Sequence, residues 1–273
     1  MMIKEWFWER AALTTPLARK LGFARDFSRY KARWSRNAKA WQSHLDKSST
    51  FIREAARQCI KREMAIIAGS GMCLDIPLEE LSSTFRKVVL IDVVHPREVV
   101  QSSEKLGNVQ LCLHDLTDTL SAVAQSLDGG TRLPIDSMGK TAAEAFAKAH
   151  PELGSADLVV SANTLSQLPL VPTERLWTTG LYCDAELESF ASNLIANHVA
   201  WLRLFACPSI LITDLFWISL GQEVAQTTPP LYHTDLGEPL DRWEWQAAPK
   251  PEAHPERDIL HVVGAFTLSD KGS

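Results

Sequence analysis

From residue 64 onward, short apolar runs alternate with longer amphipathic stretches. Met64–Ala68 (MAIIA), Lys87–Asp92 (KVVLID), Val109–Leu113 (VQLCL), 157–161 (DLVVS) and 210–214 (ILITD) are five or six residues long and rich in Val, Ile and Leu. Runs of this kind read as strands covered on both faces. Helical patterns stand between them at 78–85, 97–105, Ala142–Ala149 and 186–204. Two further runs, 242–245 and 259–266, have no helix between them and read as an antiparallel pair. The whole predicts an α/β fold in which a mostly parallel, helix-covered sheet ends in an antiparallel C-terminal hairpin.

Residues 1–62 follow another rhythm. Trp34, Ala38, Trp41 and Leu45 recur at helical spacing. Asp46, Lys47, Ser48 and Ser49 are expected to break that helix and cap a second one. The second helix would bury Phe51, Ile52, Ala55, Ala56, Cys59 and Ile60. The expected organisation is therefore a basic helical N-terminal extension, 1–62, and an α/β domain, 63–273.

Charge sharpens this division. Residues 1–62 hold 15 Lys and Arg against 5 Asp and Glu, whereas the rest holds 13 against 28. That asymmetry suits either a basic layer docked on an acidic body or a surface for an anionic partner such as RNA. The five cysteines are scattered without CxxC spacing, which speaks for reduced thiols and against a disulfide frame or zinc site. No metal is expected. The first ten residues, MMIKEWFWER, lack the apolar run of a signal peptide, and 199–220 is too interrupted by Arg203, Pro208 and Asp214 to span a bilayer. A cytoplasmic protein with no membrane association is expected.

In open α/β sheets, ligands bind beyond the carboxyl ends of the strands, so the residues after each strand carry the candidate chemistry. After the first come Gly69, Ser70 and Gly71, where glycines admit a close ligand and the next helix offers free N–H groups. After the second comes Asp92, a carboxylate placed to accept bonds from both ribose hydroxyls of an adenosine cofactor. After the third comes Asp115, which suits either an adenine amino group or the N-cap of the following helix. Ser161 and Asn163 follow the fourth. A dinucleotide fingerprint wants Gly or Ala where Leu74 stands, which disfavours an NAD(P)-dependent oxidoreductase. No GxSxG, HExxH or Walker motif is present.

The order AIIAGSG, VVLID, VQLCLHDLTD, ADLVVSANTLSQLP, a long helix, ILITD and a C-terminal hairpin resembles class I S-adenosylmethionine-dependent methyltransferases over residues 50–268. The resemblance implies a three-layer Rossmann-like fold with a seven-stranded sheet whose seventh strand is antiparallel. It implies S-adenosylmethionine held by Gly69, Ser70, Gly71 and Asp92, with Asp115 near adenine and Ser161 and Asn163 lining the crevice by the sulfonium. It also implies that the helical extension covers the cofactor site, so that Arg36, Trp41 and His44 could face the acceptor and His44 could serve as base. A surface or capping role for His44, and core packing for Trp41, are the competing readings. The chain departs from the family pattern at Cys73, where many members carry a third glycine, and in lacking the [D/N]PPY segment of amino-methylating nucleic-acid enzymes. A small-molecule acceptor is favoured over RNA, because the body is acidic and shows no RNA-binding module. The alternative is a non-catalytic descendant that keeps the fold as an assembly or interaction protein.

Overall fold

The computed structural model describes residues 3–221, 225–232 and 234–268. The outermost residues of the spans 1–62 and 63–273, namely 1–2 and 269–273, lie outside them. The central sheet is built from β1 (Met64–Ala68), β2 (Lys87–Asp92), β3 (Val109–Leu113), β4 (Leu158–Ala162), β5 (Ser209–Leu220), β6 (Asp241–Ala248) and β7 (Asp258–Thr267). The strands lie in the order β3-β2-β1-β4-β5-β7-β6. Neighbours among β1 to β5 pair parallel, and β7 runs antiparallel to both β5 and β6. A short strand, Gln226–Thr228, pairs with the far end of β5. Apart from that short strand, this is the mostly parallel sheet with an antiparallel hairpin that the apolar runs predict, with the seven strands that the resemblance implies. The order turns back between β1 and β4, and that switch point lies at the carboxyl ends where a ligand cleft forms.

Helices cover both faces. On one, α3 (Phe23–Gln58), α4 (Leu78–Thr84) and α5 (Arg97–Leu106) pack against Ile67, Leu90, Val160 and Ile212. On the other, α7 (Ala142–Ala149) and α8 (Asp184–Arg203) cover Ile66, Val89, Val159 and Leu211. Consecutive strand residues thus feed opposite cores, as their alternating direction requires. Burying each such side chain contributes on the order of 1.5–3 kcal/mol.

The N-terminal helices α1 (Ile3–Ala11) and α2 (Pro16–Leu21) precede α3, which departs from expectation. Residues 46–49 do not break it: Ser48 is fully buried, and the Ser49 hydroxyl donates to the Asp75 carbonyl at 2.9 Å, so these side chains serve tertiary contacts instead of a cap. The helix kinks at Asn37 instead, at φ −118°, where the Asn37 amide donates to the Arg33 carbonyl and competes with the ladder. The basic layer docks on the acidic body. Arg36 grips Glu252 in a two-toothed pair at 2.8 and 2.6 Å, Arg53 does the same with Glu80, and Lys31 pairs with Glu98. A two-residue clip, Leu13–Thr14 against Val94–His95, ties the segment before α2 to the loop after Asp92.

Candidate functional site

The turn after β1 and the acid ending β2 form one unit. Gly69 donates to the Ile91 carbonyl at 2.8 Å, and the Gly71 amide donates to Asp92 Oδ2 at 2.8 Å. The Val94 amide donates to Asp92 Oδ1 at 3.1 Å. Gly69 and Gly71 stand at φ +68° and +49°, the left-handed region that glycine enters without steric cost. Their needs differ: a Cβ on Gly69 would lie 1.9 Å from Thr164 Oγ1, whereas one on Gly71 would meet nothing nearer than 3.9 Å. Cys73 also sits at φ +52°, so the residue at the departing position adopts the backbone that a glycine there would take. Burial holds the Asp92 carboxyl above the usual carboxylate range, opposed by the Gly71 and Val94 amides and by His95.

Around this unit opens a cleft of about 520 Å³. Its floor is the glycine turn, Asp92–Val94, His114–Thr117 and Ala162–Thr164; its outer wall is α3, through Phe23, Phe27, Tyr30 and Arg33. Among the described residues, four polar atoms on residues lining it are buried without a hydrogen-bond partner: Ser70 Oγ, His114 Nε2, Asn163 Oδ1 and Asp26 Oδ2, the last 3.8 Å from Arg175.

The remaining sequence candidates divide. Asn163 lines the cleft at φ +52°, its amide nitrogen 2.6 Å from Asp75 Oδ2 and 3.0 Å from His44 Nε2. Asp115 also lines it, yet its carboxylate accepts from the Thr117 amide and hydroxyl and from the Thr119 and Leu120 amides, at 2.6–3.0 Å. Those four donors use the acceptor capacity of both oxygens, so Asp115 caps α6 (Leu120–Gly129). Ser161 is still within β4 and faces away from Val160 and Ala162; it is fully buried 2.9 Å from His198 Nε2 and lies outside the cleft, which Asn163 reaches by leaving the strand. His44 is buried rather than on the surface. Trp243 Nε1 donates to its Nδ1 at 3.0 Å, its ring stacks on Trp245, and burial lowers it to about 4. Arg36 is spent on Glu252, away from the cleft.

A second cavity of about 410 Å³ adjoins the first, sharing Tyr30, Arg33, Gln167 and Leu170 with it. Trp41, Trp217, Trp245 and Tyr30 supply aromatic walls, and Asp214 and His261 lie among them. Trp41 is fully buried and donates to the Ala247 carbonyl at 3.0 Å. Asp214 Oδ2 accepts from Ser166 Oγ and Trp217 Nε1, both at 2.9 Å, and Asp214 Oδ1 stands 3.1 Å from His261 Nδ1. Burial pushes the Asp214 carboxyl up, but His261, Trp217 and Ser166 together outweigh it and hold it below its usual range. A β-bulge makes this cluster. Asp214 pairs with Val263 and Phe216 with Val262, leaving Leu215 as an extra residue. Asp214 and Trp217, three apart, therefore share the face of His261, where a regular strand would set them on opposite faces.

Sequence reasoning passed over Asp214 and His261 as site residues. The signal for Asp214 was available: it ends the run ILITD as Asp92 ends VVLID. His261 needed the register of β7, which no local pattern carries. Among the described residues, no group of three or more His, Cys, Asp or Glu could hold a metal ion, and no helix is long and apolar enough to cross a membrane.

No family model matches the chain, and no curated protein matches it. Among solved structures it is similar to the 1,6-didemethyltoxoflavin-N1-methyltransferase of Burkholderia thailandensis, crystallised with 1,6-didemethyltoxoflavin and S-adenosylhomocysteine. The likeness covers 93% of this chain and 92% of that one at 13% identity, with a TM-score of 0.40. An rRNA methylase of Streptococcus thermophilus aligns over 78% of this chain and 93% of its own, at 10% identity and a TM-score of 0.29. The 23S rRNA methyltransferase ErmE aligns over 79% and 67%, at 12% identity and a TM-score of 0.31. The strand order, the switch point and the antiparallel β7 give the chain the three-layer Rossmann-like architecture that the sequence resemblance implies.

Proposed function

We propose that the chain is an S-adenosylmethionine-dependent methyltransferase acting on a small molecule. The observation that carries this reading is Asp92: its carboxylate takes one amide on each oxygen, from Gly71 and Val94, and keeps acceptor capacity toward the cleft. A pair of vicinal ribose hydroxyls supplies the two donors that such an acid lacks. The unpartnered atoms of Ser70, His114 and Asn163 fit the same conclusion, since buried polar atoms left open along a cleft call for a polar ligand.

In this reading Gly69, Ser70, Gly71 and Asp92 hold the cofactor, and Asn163 lines its reactive end. Asp115 stays with α6. Helices α1–α3 serve as the lid, with Phe23, Phe27 and Tyr30 excluding water from the cleft. When bound, S-adenosylmethionine supplies an electrophilic methyl carbon. The chain's own task is to fix the acceptor in line with it, and holding reactants in place is worth several kcal/mol of barrier. The ion pairs that spend Lys31, Arg36 and Arg53 on the body, together with the modest size of the second cavity, support a small acceptor over RNA. Titration calorimetry with S-adenosylmethionine and S-adenosylhomocysteine tests the reading: saturable heat with both is expected, and a folded sample giving heat with neither would overturn it.

A further inference from the structure

The cavity beside the cofactor cleft holds a carboxylate–imidazole pair that the cofactor reading leaves unused. His261 sits between Trp217 and Trp245, its partners across the sheet on either side, with ring centroids 5.6 and 5.0 Å away. Its Nδ1 faces Asp214 Oδ1 at 3.1 Å, and neither atom has another partner among the described residues. That leaves Nε2 as the ring nitrogen without a protein partner. A carboxylate fixed by Ser166 and Trp217 behind an imidazole orients the ring, as an orienting acid does behind a histidine base.

The walls speak to the ligand. Aromatic faces on several sides prefer a flat π-system in offset or edge-to-face contact. The volume suits a molecule of one or two rings. Arg33, at the rim shared with the cofactor cleft, is the cation among the lining residues and favours an acceptor that becomes anionic.

We infer that this cavity is the acceptor site, that it takes a flat aromatic small molecule carrying an ionisable O–H or N–H, and that His261 Nε2 removes that proton. The inference rests on the methyl transfer proposed above. As the acceptor's O–H or N–H bond breaks toward Nε2, its lone pair forms the new bond to the methyl carbon. The carbon–sulfur bond breaks, its electron pair stays on sulfur, and S-adenosylhomocysteine is released. His261 then returns its proton to solvent, so the balance closes without a further reactant. Asp214 is a positioning residue: it touches no acceptor atom and acts through His261. The ionisable groups facing His261 are Asp214 from β5 and Tyr30, Arg33 and His44 from α3; β6 presents Trp245.

The test uses 4-nitrophenol, whose anion is yellow, added to the full chain saturated with S-adenosylhomocysteine at a pH below the free phenol's pKa. Wild type is expected to bind it saturably as the yellow anion, the proton having passed to His261. In His261→Gln the bound phenol should stay colourless, and in Asp214→Asn the yellow form should appear only at higher pH. Trp217→Leu should weaken phenol binding about tenfold, which corresponds to about 1.4 kcal/mol. Calorimetry with S-adenosylhomocysteine reports in each variant whether the cofactor cleft is intact. If wild type binds S-adenosylhomocysteine but not the phenol, or if His261→Gln still turns it yellow, the inference is overturned and the cofactor reading stands. If wild type does not bind S-adenosylhomocysteine, both are overturned.

Discussion

The Gly71 amide donates to Asp92 Oδ2 at 2.8 Å, which couples the turn after β1 to the acid ending β2. The bond fixes the carboxylate in the position from which it faces the cleft, so loop and acid act as one ligand-binding unit. Asp92→Ala removes the acceptor and should weaken S-adenosylhomocysteine binding by about 1.5–3 kcal/mol, the range for hydrogen bonds to a charged group. Asp92→Asn keeps the shape but not the charge, and should fall between the two. Calorimetry at fixed pH measures the series; equal affinity in all three would mean that Asp92 takes no part in binding.

Burial raises the Asp92 carboxyl, so its charge is lost on acidification earlier than that of an ordinary aspartate. Protonation removes acceptor capacity. The affinity for S-adenosylhomocysteine should therefore begin to fall at a pH above ~3.9, the unperturbed aspartate value. Asp92→Asn should flatten this limb. A wild-type limb that persists unchanged in Asp92→Asn would assign it to another group.

Gly69 and Gly71 should respond differently to the same substitution. In Gly69→Ala the new Cβ meets Thr164 Oγ1 at 1.9 Å and Thr164 Cβ at 2.6 Å, in addition to the left-handed backbone. A stability loss of about 3 kcal/mol or more follows, in line with combined overpacking and backbone strain. Gly71→Ala meets only the backbone penalty, about 1–2 kcal/mol. Denaturant unfolding distinguishes them. Thr164→Gly should recover part of the Gly69→Ala loss and none of the Gly71→Ala loss, because only the first pair is in contact.

Burial holds four histidines, His44, His95, His114 and His198, below their ordinary range and makes the fold acid-sensitive. His44, beside Trp243, and His198, beside Ser161, are each lowered by burial from 6.5 to about 4. Their neutral forms belong to the folded state, while the unfolded chain binds protons from about pH 6.5 downward. The stability they contribute is thus complete above pH 6.5 and is lost as pH falls toward 4. Each of these two accounts for about 3 kcal/mol over that window, at 1.36 kcal/mol per pH unit. His44→Gln should reduce the slope of unfolding free energy against pH between 6.5 and 4 by the share of one histidine and leave that of the others. An unchanged slope would place the acid sensitivity elsewhere.

What the sequence made legible was whatever depends on neighbours along the chain. The runs MAIIA, KVVLID and VQLCL mark their strands residue for residue, because a central strand covered on both faces is apolar through its middle and the edge strand VQLCL keeps most of that pattern around an exposed Gln110. Asp92 was legible for a related reason, since the end of a buried run in a parallel sheet is where a ligand waits. The misses all depend on contacts across the chain. Ser49 looks like a cap until Asp75 comes to meet it. Ser161 and Asn163 look equivalent at the end of β4, yet Ser161 is still in the strand and faces the far core, whereas Asn163 lies past its end at φ +52° and turns into the cleft. The pair of Asp214 and His261 spans β5 and β7 and needs one extra residue, Leu215, to share a face. No window of a single strand contains that information.

The place of the missing third glycine gives the last prediction. Cys73 holds φ +52° while its amide donates to the Ser70 carbonyl at 2.8 Å, so the loop closes as it would around glycine. Burial pushes the Cys73 thiol up, which keeps it protonated and slow as a nucleophile. The backbone, then, and not thiol chemistry, is what this position requires. Cys73→Gly should retain S-adenosylhomocysteine binding, whereas Cys73→Val must force a β-branched side chain into the left-handed region. Val should be less stable than Gly here by about 1–3 kcal/mol and bind more weakly, since the strain falls on the loop that positions Gly71. Unfolding and calorimetry on the two variants decide the point. If Val binds as well as Gly, the loop relaxes without the left-handed residue; if Gly abolishes binding, the side chain itself matters.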